Sequence, residues 1–174
     1  MTSLQSKTVR LRLVQESDAE FILKLRLDSR YQQFLSPVSP DVDAQKRWIR
    51  NYKVHEAEGQ QFYFMIERND GIPCGTVRVY DLQADSFCWG SWILNENKTR
   101  TAALESAFLV YQFGFGDLGY KKSRFDVLKE NTAVVSFHQK MGAVLLAEDE
   151  QYYHFEITKE SVETVKNKFL GKLL

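Results

Sequence analysis

The sequence predicts an α+β fold, an α/β sandwich in which helices cover both faces of a mixed central sheet. Segments typical of strands and helices follow one another in the order β-α-α-β-β-β-α-β-α-β-α along 174 residues. Turn signals between some strands predict hairpins, and helical segments between others predict crossovers. No repeat, low-complexity tract or Pro/Gly-rich linker divides the chain, so we expect residues 1–174 to form one domain.

The first third of the chain predicts one strand and two helices. Val9–Leu13 alternates apolar and charged residues, which is typical of a half-buried strand. Ser17 and Glu20 have the spacing of a capping box, which predicts that the first helix begins there. A polar, proline-containing loop follows at residues 29–40, and the second helix is expected from its end until just before Gly59.

Three strands are predicted in the middle of the chain, at residues 62–66, 75–80 and 86–94. The Asn-Asp-Gly sequence at residues 69–71 predicts a turn between the first two. Gly90 lies inside the third strand, where a glycine often marks a bulge or a close approach of backbones.

The last third of the chain predicts three helices and two strands, and glycines mark the ends of the first two helices. The predicted elements are a helix at 102–111, a strand at 124–128, a helix at 131–141 capped by Gly142, a strand at 152–157 and a helix at 159–170.

Charge and cysteine content exclude several classes of function. The 23 basic residues equal the 23 acidic ones, so the chain lacks the strong positive field of nucleic-acid-binding proteins. Cys74 and Cys88 are the two cysteines, and no Cys/His spacing predicts a metal site. Residues 1–7 contain no apolar core of a signal peptide, and apolar runs fall short of a membrane span. We therefore expect a cytoplasmic protein with no metal, nucleic-acid or membrane partner.

The segment between Trp92 and Tyr111 predicts an anion site. A helix that begins after a strand leaves unpaired N–H groups and a partial positive charge, which attract phosphate. Lys98 and Arg100 add two cations, and the small residues 101–103 let the backbone approach an anion closely. From the residues alone, a solvated loop with two surface cations is the alternative.

The predicted helix at residues 131–141 contains a candidate acid–base residue. His138 shares a helix face with Val134 and Met141, and histidine is the side chain that titrates nearest to neutral pH. The alternative is a hydrogen-bonded histidine of the core.

Taken together, these two segments resemble the Gcn5-related N-acetyltransferase (GNAT) superfamily, in the branch of ribosomal-protein and amino-sugar N-acetyltransferases. The resemblance covers roughly residues 8–157. The loop of that family reads Q/R-x-x-G-x-G/A, and Lys98, Thr101 and Ala103 occupy its three defined positions here. The sequence WGSWIL resembles the bulged fourth strand of the family, and the helix containing His138 resembles its late helix.

The resemblance implies a single GNAT-like domain whose fourth and fifth strands splay apart to hold acetyl-CoA, as a co-substrate and without a metal. The loop amides would hold the pyrophosphate of coenzyme A, and the pantetheine arm would lie along the fourth strand. The implied cofactor-binding residues are Trp92, Ile93, Leu94, Lys98, Thr99, Arg100, Thr101, Ala102, Ala103, Asn131 and Phe137.

The resemblance also assigns the catalytic positions. His138 stands where the family commonly has a tyrosine that acts as general acid, and an imidazolium with a pKa near 6.5 can protonate a thiolate. The glutamate that often serves as base in the fourth strand corresponds to Cys88, which is a poor replacement. The resemblance therefore leaves the base unassigned.

Three acceptors are compatible with the resemblance: a protein N-terminus, a small amine and an amino sugar on a nucleotide carrier. Residues 25–36 and 136–143 look most like the amino-sugar enzymes of bacterial surface-polysaccharide biosynthesis, so we take the nucleotide amino sugar as the best prediction. A catalytically silent acyl-CoA-binding module is the alternative from another class. We expect a monomer or a homodimer.

Several cationic and aromatic residues would suit the diphosphate and the base of such an acceptor. Arg26, Arg47 and Trp48 belong to this set, but Trp48 is expected in the core beneath the second helix. The substrate-binding residues that we put forward are Arg30, Tyr31 and Tyr80.

Overall fold

The computed structural model describes the backbone of residues 3–173 and the side chains of residues 3–169. Its seven strands form one sheet in the order β1-β2-β3-β4-β5-β7-β6, in which β4 and β5 are parallel and the other neighbours antiparallel. The strands are β1 Val9–Leu13, β2 Phe62–Arg68, β3 Pro73–Tyr80, β4 Ser86–Leu94, β5 Lys122–Leu128, β6 Val144–Glu148 and β7 Tyr152–Thr158. Residues 1, 2 and 174 of the predicted domain lie outside this description.

Helices pack on both faces of the sheet, which confirms the predicted α+β sandwich. They are α1 Ala19–Leu27, α2 Ser29–Gln32, α3 Val42–Ala57, α4 Ala102–Tyr111, α5 Thr132–Lys140 and α6 Lys159–Leu173. A 3₁₀ turn at Glu16–Asp18 precedes α1, and a π-helical turn at Gln112–Asp117 continues α4 beyond the predicted end.

Two separate clusters form the core, and β2 contributes to both. Tyr63 and Met65 pack with α1 and α3 on one face of the sheet, in the cluster that contains Ile22. Phe64 and Ile66 point to the opposite face, into the larger cluster that contains much of α4. Because β2 is covered on both faces, its sequence is a continuous apolar run instead of an alternation.

Three local predictions are wrong. The edge strand β6 was missed, because its residues are all exposed and its sequence does not alternate. The short helix α2 lies in the segment predicted to be a loop. The predicted capping box at Ser17 does not form, because Asp18 accepts the Gln15 N–H at 2.7 Å and pairs with Arg12 at 2.8 Å. Helix α1 therefore begins at Ala19.

The two parallel strands separate after a short paired stretch. Pairing between β4 and β5 runs from Ser86 opposite Lys122 to Cys88 opposite Arg124. Beyond these residues the two strands are no longer registered with each other, so a gap opens between Trp89–Leu94 and the end of β5.

A bulge in β4 lies directly beside this gap. Ser91 and Trp92 together stand opposite one residue of β3, and Ser91 has a φ of 48°. The bulge predicted near Gly90 is thereby confirmed. On the neighbouring strand, a side chain at Gly75 would place its Cβ 2.1 Å from the carbonyl oxygen of Ile93, so only glycine lets the backbones approach this closely.

Candidate active site

A cavity of about 550 Å³ fills the gap between β4 and β5 and extends under α2 and along α5. We call it the splay cavity. The predicted site residues that line it are Arg30, Tyr31, Trp92, Ile93, Leu94, Lys98, Ala103, Asn131, Phe137 and His138. The structure thus brings residues from two of the predicted segments, the β4–α4 loop and α5, to one cavity.

The loop between β4 and α4 leads into the first turn of α4 at the edge of this cavity, where Lys98 and Ala103 line it. The N–H groups of Ala103 and Leu104 have no backbone or side-chain acceptor within residues 3–169, as expected for the first turn of a helix. Lys98 and Arg100 have no carboxylate partner within 4.0 Å in the same described region. The loop therefore combines free N–H donors with two unneutralised cations, which can hold a phosphate-bearing ligand.

The threonine hydroxyl groups of the loop form hydrogen bonds within the protein. Thr101 donates to the carboxylate of Glu105 at 2.5 Å, and Thr99 is hydrogen-bonded to Thr8 at 2.7 Å. Thr8 in turn donates to Glu105 from its amide, at 2.7 Å, and from its hydroxyl. Thr99, Arg100, Thr101 and Ala102 do not line the splay cavity. Of these, the two threonines tie the loop to the segment before β1.

Glu105 is the centre of this anchor, and its burial was not anticipated from the sequence. Its side chain is 0% exposed. Burial by itself would raise the pKa of Glu105, but the hydrogen bonds from Thr101 and Thr8 outweigh it and lower the pKa. An ionised carboxylate thus holds both threonines, and with them the start of α4.

His138 lies at the inner end of the splay cavity among aromatic rings. It is 4% exposed, with ring centroids 4.1 Å from Phe125, 5.4 Å from Trp89 and 5.7 Å from Phe137. Neither ring nitrogen has a hydrogen-bond partner among residues 3–169, and Nδ1 is fully buried. Burial lowers the pKa of His138 to about 3. An apolar site disfavours the charged form, so this pKa does not favour the imidazolium that the resemblance implies, and the catalytic role of His138 stays a prediction.

Tyr80 and Cys88 pair with each other across neighbouring strands, and Tyr80 lines neither this cavity nor the one described below. The Tyr80 hydroxyl and the Cys88 thiol are hydrogen-bonded, and burial raises the pKa of both groups. Cys88 therefore stays protonated at neutral pH and is no substitute for a carboxylate base, as expected from the sequence.

Arg30 and Tyr31 cover the mouth of the splay cavity from α2. The Arg30 guanidinium pairs with Asp28 at 2.6 Å and with Glu96 at 3.2 Å, and it lies 5.2 Å from the centroid of the Tyr31 ring. Because Glu96 belongs to the β4–α4 loop, Arg30 connects the two sides of the mouth. Its charge is already neutralised by these carboxylates.

A second cavity of about 250 Å³ lies on the other side of the bulge, and we call it the α3 cavity. Its lining residues are Arg26, Ser36, Pro37, Val38, Gln45, Trp48, Tyr63, Arg78 and Ser91. Ser91 lines both cavities, so they meet at the bulge. Trp48 is 41% exposed at this cavity, which corrects the expectation that it is a core residue.

Sequence reasoning missed most of the α3 cavity, because its residues come from five separate helices and strands and from the loop before α3. One signal was present in β3, where Arg78 interrupts the otherwise apolar and small run GTVRVY in a strand at the centre of the sheet. Charged residues are rare in the interior of a protein unless they are paired, so Arg78 at this position indicates a functional or structural partner.

The described residues also lack clusters of metal ligands and membrane-spanning helices. Within residues 3–173 there is no cluster of three or more His, Cys, Asp or Glu side chains that could hold a metal ion. In the same region no helix is long and apolar enough to cross a membrane.

Comparison with known proteins identifies the family. Residues 8–144 match the acetyltransferase (GNAT) domain. The chain belongs to the GNAT family. It is an acetyltransferase, and its sheet with a parallel β4–β5 pair is the GNAT fold.

Solved GNAT structures superpose closely on this enzyme. The structure of apo FdhC, a nucleotide-linked sugar GNAT, is 45% identical, with a TM-score of 0.92 and 99% of each chain covered. Spermidine N-acetyltransferase from Vibrio cholerae, in complex with CoA and spermine, is 17% identical, with a TM-score of 0.77 over 89% of this chain and 98% of its own.

The ribosomal-protein-S5-alanine acetyltransferase from Vibrio fischeri is 14% identical, with a TM-score of 0.78 over 92% of this chain and 98% of its own. At this level of identity the last two show a shared fold alone. None of the proteins with curated functions matches this GNAT enzyme in sequence.

Proposed function

We propose that this GNAT enzyme transfers an acetyl group from acetyl-CoA to the amine of a nucleotide-linked amino sugar, in bacterial surface-polysaccharide biosynthesis. The observation that carries the acceptor class is the 45% identity to a nucleotide-linked sugar GNAT over 99% of both chains. The same full-length similarity supports treating residues 1–174 as one N-acetyltransferase domain.

Acetyl-CoA would lie in the splay cavity. The free N–H groups of Ala103 and Leu104, with Lys98 and Arg100, would hold the pyrophosphate at the start of α4. The pantetheine arm would lie in the gap beside Trp92–Leu94, with Phe137 and the unpaired amide of Asn131 at its other side. Of the other predicted cofactor-binding residues, Thr99, Thr101 and Ala102 would contribute through the backbone.

Acetyl-CoA supplies an activated thioester that an unprotonated amine attacks. His138 would act on this thioester as a neutral ring, because its pKa of about 3 excludes the imidazolium at neutral pH. A neutral imidazole carries one N–H, and a preorganised N–H in a water-poor site stabilises developing negative charge. Backbone amides beside the bulge at Ser91 would do the same.

The proton of the amine needs an acceptor near the bulge. Cys88 is excluded by its raised pKa. Asp126 is the carboxylate that lines the splay cavity among the described residues, and it is hydrogen-bonded to Nδ1 of His154 at 2.6 Å. Asp126 or a water molecule would accept the proton.

Two of the predicted substrate-binding residues would contact the acceptor near the mouth of the splay cavity. Arg30 and Tyr31 line that mouth from α2. Tyr80 lies one strand away, with its hydroxyl oxygen 3.2 Å from the position that a Cβ on Gly90 would take. The sugar ring would therefore lie between α2 and the β3–β4 surface.

Rates of thiol release measure the reaction directly. The protein would be mixed with acetyl-CoA and, separately, with nucleotide amino sugars, peptides with free N-termini and polyamines. We expect rapid thiol release only with a nucleotide amino sugar, and mass spectrometry should find the acetyl group on the sugar amine. Thiol release with peptides or polyamines, but not with nucleotide amino sugars, would show that the proposed acceptor class is wrong. Binding of acetyl-CoA without thiol release in any mixture would indicate a non-catalytic module.

A further inference from the structure

The α3 cavity contains positive charge that the protein does not neutralise. Most arginines of the chain pair with a carboxylate, but Arg26 and Arg78 have no carboxylate within 4.0 Å among residues 3–169. Both line this one cavity. Arg26 donates instead to the carbonyl and hydroxyl of Ser36, and Arg78 lies 4.3 Å from the centroid of the Tyr80 ring. Two cations that face the same cavity repel each other unless an anion lies between them.

Polar atoms without partners collect at the same place. The Nε atoms of Arg26 and Arg78 and the hydroxyl of Tyr63 are all buried with no hydrogen-bond partner in the described chain. Gln45 is 8% exposed, and its side-chain amide has no partner there either. Buried polar groups are normally hydrogen-bonded, so a cluster of unsatisfied ones around a cavity indicates a polar ligand.

An aromatic surface completes the lining. Trp48 is stacked on Tyr52, with ring centroids 5.9 Å apart and planes 12° from parallel, and it meets Tyr63 edge to face at 5.7 Å. These contacts hold the indole firmly while 41% of the residue stays exposed. A rigid, exposed indole beside arginines is suited to stacking on a planar base.

The position of the cavity relates it to the reaction. It meets the splay cavity at Ser91, in the bulge where the thioester would lie. A ligand in the α3 cavity therefore has access to the transfer site from the side opposite to the coenzyme. Its volume of about 250 Å³ is below that of a complete drug-sized site, so it suits one part of a larger molecule.

We infer that the α3 cavity binds the nucleoside diphosphate part of the acceptor. Arg26 and Arg78 contact the diphosphate, Trp48 stacks on the base, and Gln45 and Tyr63 bond to polar groups of the nucleotide. This inference rests on the proposed function, which identifies the nucleotide as part of the acceptor. It assigns the main nucleotide contacts to Arg26 and Arg78 instead of Arg30.

Calorimetric titration of the full-length protein tests the inference without acetyl transfer. The protein is first saturated with coenzyme A, because the splay cavity also accepts a nucleotide diphosphate. It is then titrated with uridine, thymidine and guanosine diphosphates and, separately, with inorganic pyrophosphate. We expect at least one nucleoside diphosphate to bind, and Arg78→Gln to weaken its binding about 10- to 100-fold, as for loss of a charge-assisted hydrogen bond.

Two further variants separate the subsites. Trp48→Ala should weaken the nucleoside diphosphate about tenfold and leave pyrophosphate unchanged, because only the base stacks on the ring. Arg50→Gln is the matched control: Arg50 lies on the same helix, is exposed, pairs with Glu16 at 2.8 Å and does not line the cavity. It should bind both probes like the wild type, and far-UV circular dichroism should show all variants folded.

Several outcomes would overturn the inference. One is a coenzyme-saturated wild type that binds none of the probes, and another is a folded Arg78→Gln variant with unchanged affinity. If the wild type still acetylates a nucleotide amino sugar in either case, the proposed function stands and only this subsite is wrong. If nucleotides bind through Arg78 but only peptides or polyamines are acetylated, the subsite stands and the proposed function fails.

Discussion

The two cavities meet at one residue but are built in different ways. At its loop end the splay cavity presents backbone N–H groups beside the small residue Ala103, next to the gap between two strands. The α3 cavity presents side chains from α1, α3, β2 and β3, whose contributions are far apart in the sequence. The first is a site of main-chain geometry, and the second is a site of side-chain chemistry.

This difference predicts how each cavity responds to mutation. A backbone N–H cannot be removed by changing a side chain, so the loop end of the splay cavity is damaged mainly by filling it or by loosening the loop that shapes it. The α3 cavity loses one interaction with each substitution.

The largest effect is expected from His138→Phe, which keeps an aromatic ring and removes the polar nitrogens. If the neutral N–H stabilises developing charge on the thioester, kcat should fall by about 10²–10³-fold, as for loss of one oxyanion-hole donor. Binding of nucleotide at the α3 cavity should not change. Steady-state kinetics and calorimetry on the same preparation measure both quantities, and full activity in a folded variant would exclude a catalytic role.

The same variant tests the protonation state of His138 through stability. Its pKa is about 3 in the folded protein and 6.5 as the ordinary value. Between these values the unfolded chain binds more protons, so the free energy of unfolding should fall as the pH drops below about 6.5, by up to about 1.4 kcal/mol per pH unit. Urea unfolding at pH 7, 6 and 5 should show a shallower loss for His138→Phe. An equal slope in both proteins would mean that His138 titrates normally.

The next largest effect is expected from variants that fill the splay cavity with a bulky side chain. Ala103→Trp places a bulky ring where the backbone would meet the pyrophosphate, and we expect acetyl-CoA affinity to fall about 10- to 100-fold, as for loss of hydrogen bonds to a charged group. Thr101→Trp should also weaken acetyl-CoA, but with a loss of stability, because the Thr101 hydroxyl belongs to the Glu105 anchor. Calorimetry with acetyl-CoA checks both, and unchanged affinity in both would remove the loop from the coenzyme site.

Loosening the loop is a smaller change of the same cavity. Glu105→Gln replaces a carboxylate that accepts from Thr8 and Thr101 by an amide that cannot accept all of these bonds. We expect a loss of about 1–3 kcal/mol in the free energy of unfolding and a weaker acetyl-CoA affinity, with nucleotide binding unaffected. Thermal unfolding and the two titrations measure this, and a variant as stable as the wild type would contradict the anchor.

The smallest effect is expected at Arg30. Its charge is already balanced by Asp28 and Glu96, so it attracts an anionic ligand less than an unpaired arginine does. Arg30→Ala combined with Tyr31→Ala should therefore raise the KM for the acceptor only a few-fold, with the KM for acetyl-CoA nearly fixed. A larger effect than that of Arg78→Gln would reverse the assignment of the main nucleotide contacts.

The contrast between the cavities also explains what could be predicted from the sequence. The order of the elements other than α2 and β6, the bulge after Gly90 and the Gly142 cap follow from local patterns, and the structure confirms them. The loop before α4 was recognisable because its residues are consecutive. Strand β6 was missed because an exposed edge strand carries no alternation between buried and exposed residues.

The residues of the α3 cavity required the tertiary structure. Nothing local to Arg78 or Gln45 shows that they face Arg26 across a cavity. The pKa of His138 was equally out of reach, because it depends on rings from β4 and β5 that only the fold brings around α5. Tyr80 looked available in the sequence, yet its hydroxyl pairs with Cys88.

The shared position of Ser91 has a consequence for the kinetic order of the reaction. Under the proposed function, two cavities that meet at the bulge would allow both substrates to be bound at once, with the amine facing the thioester. The nearby Cys88 thiol is buried, has a raised pKa and does not line the splay cavity. It is therefore a poor candidate for the covalent acetyl-enzyme intermediate of a ping-pong mechanism. Transfer would then be direct, and initial rates at several fixed coenzyme concentrations should give intersecting, not parallel, double-reciprocal lines.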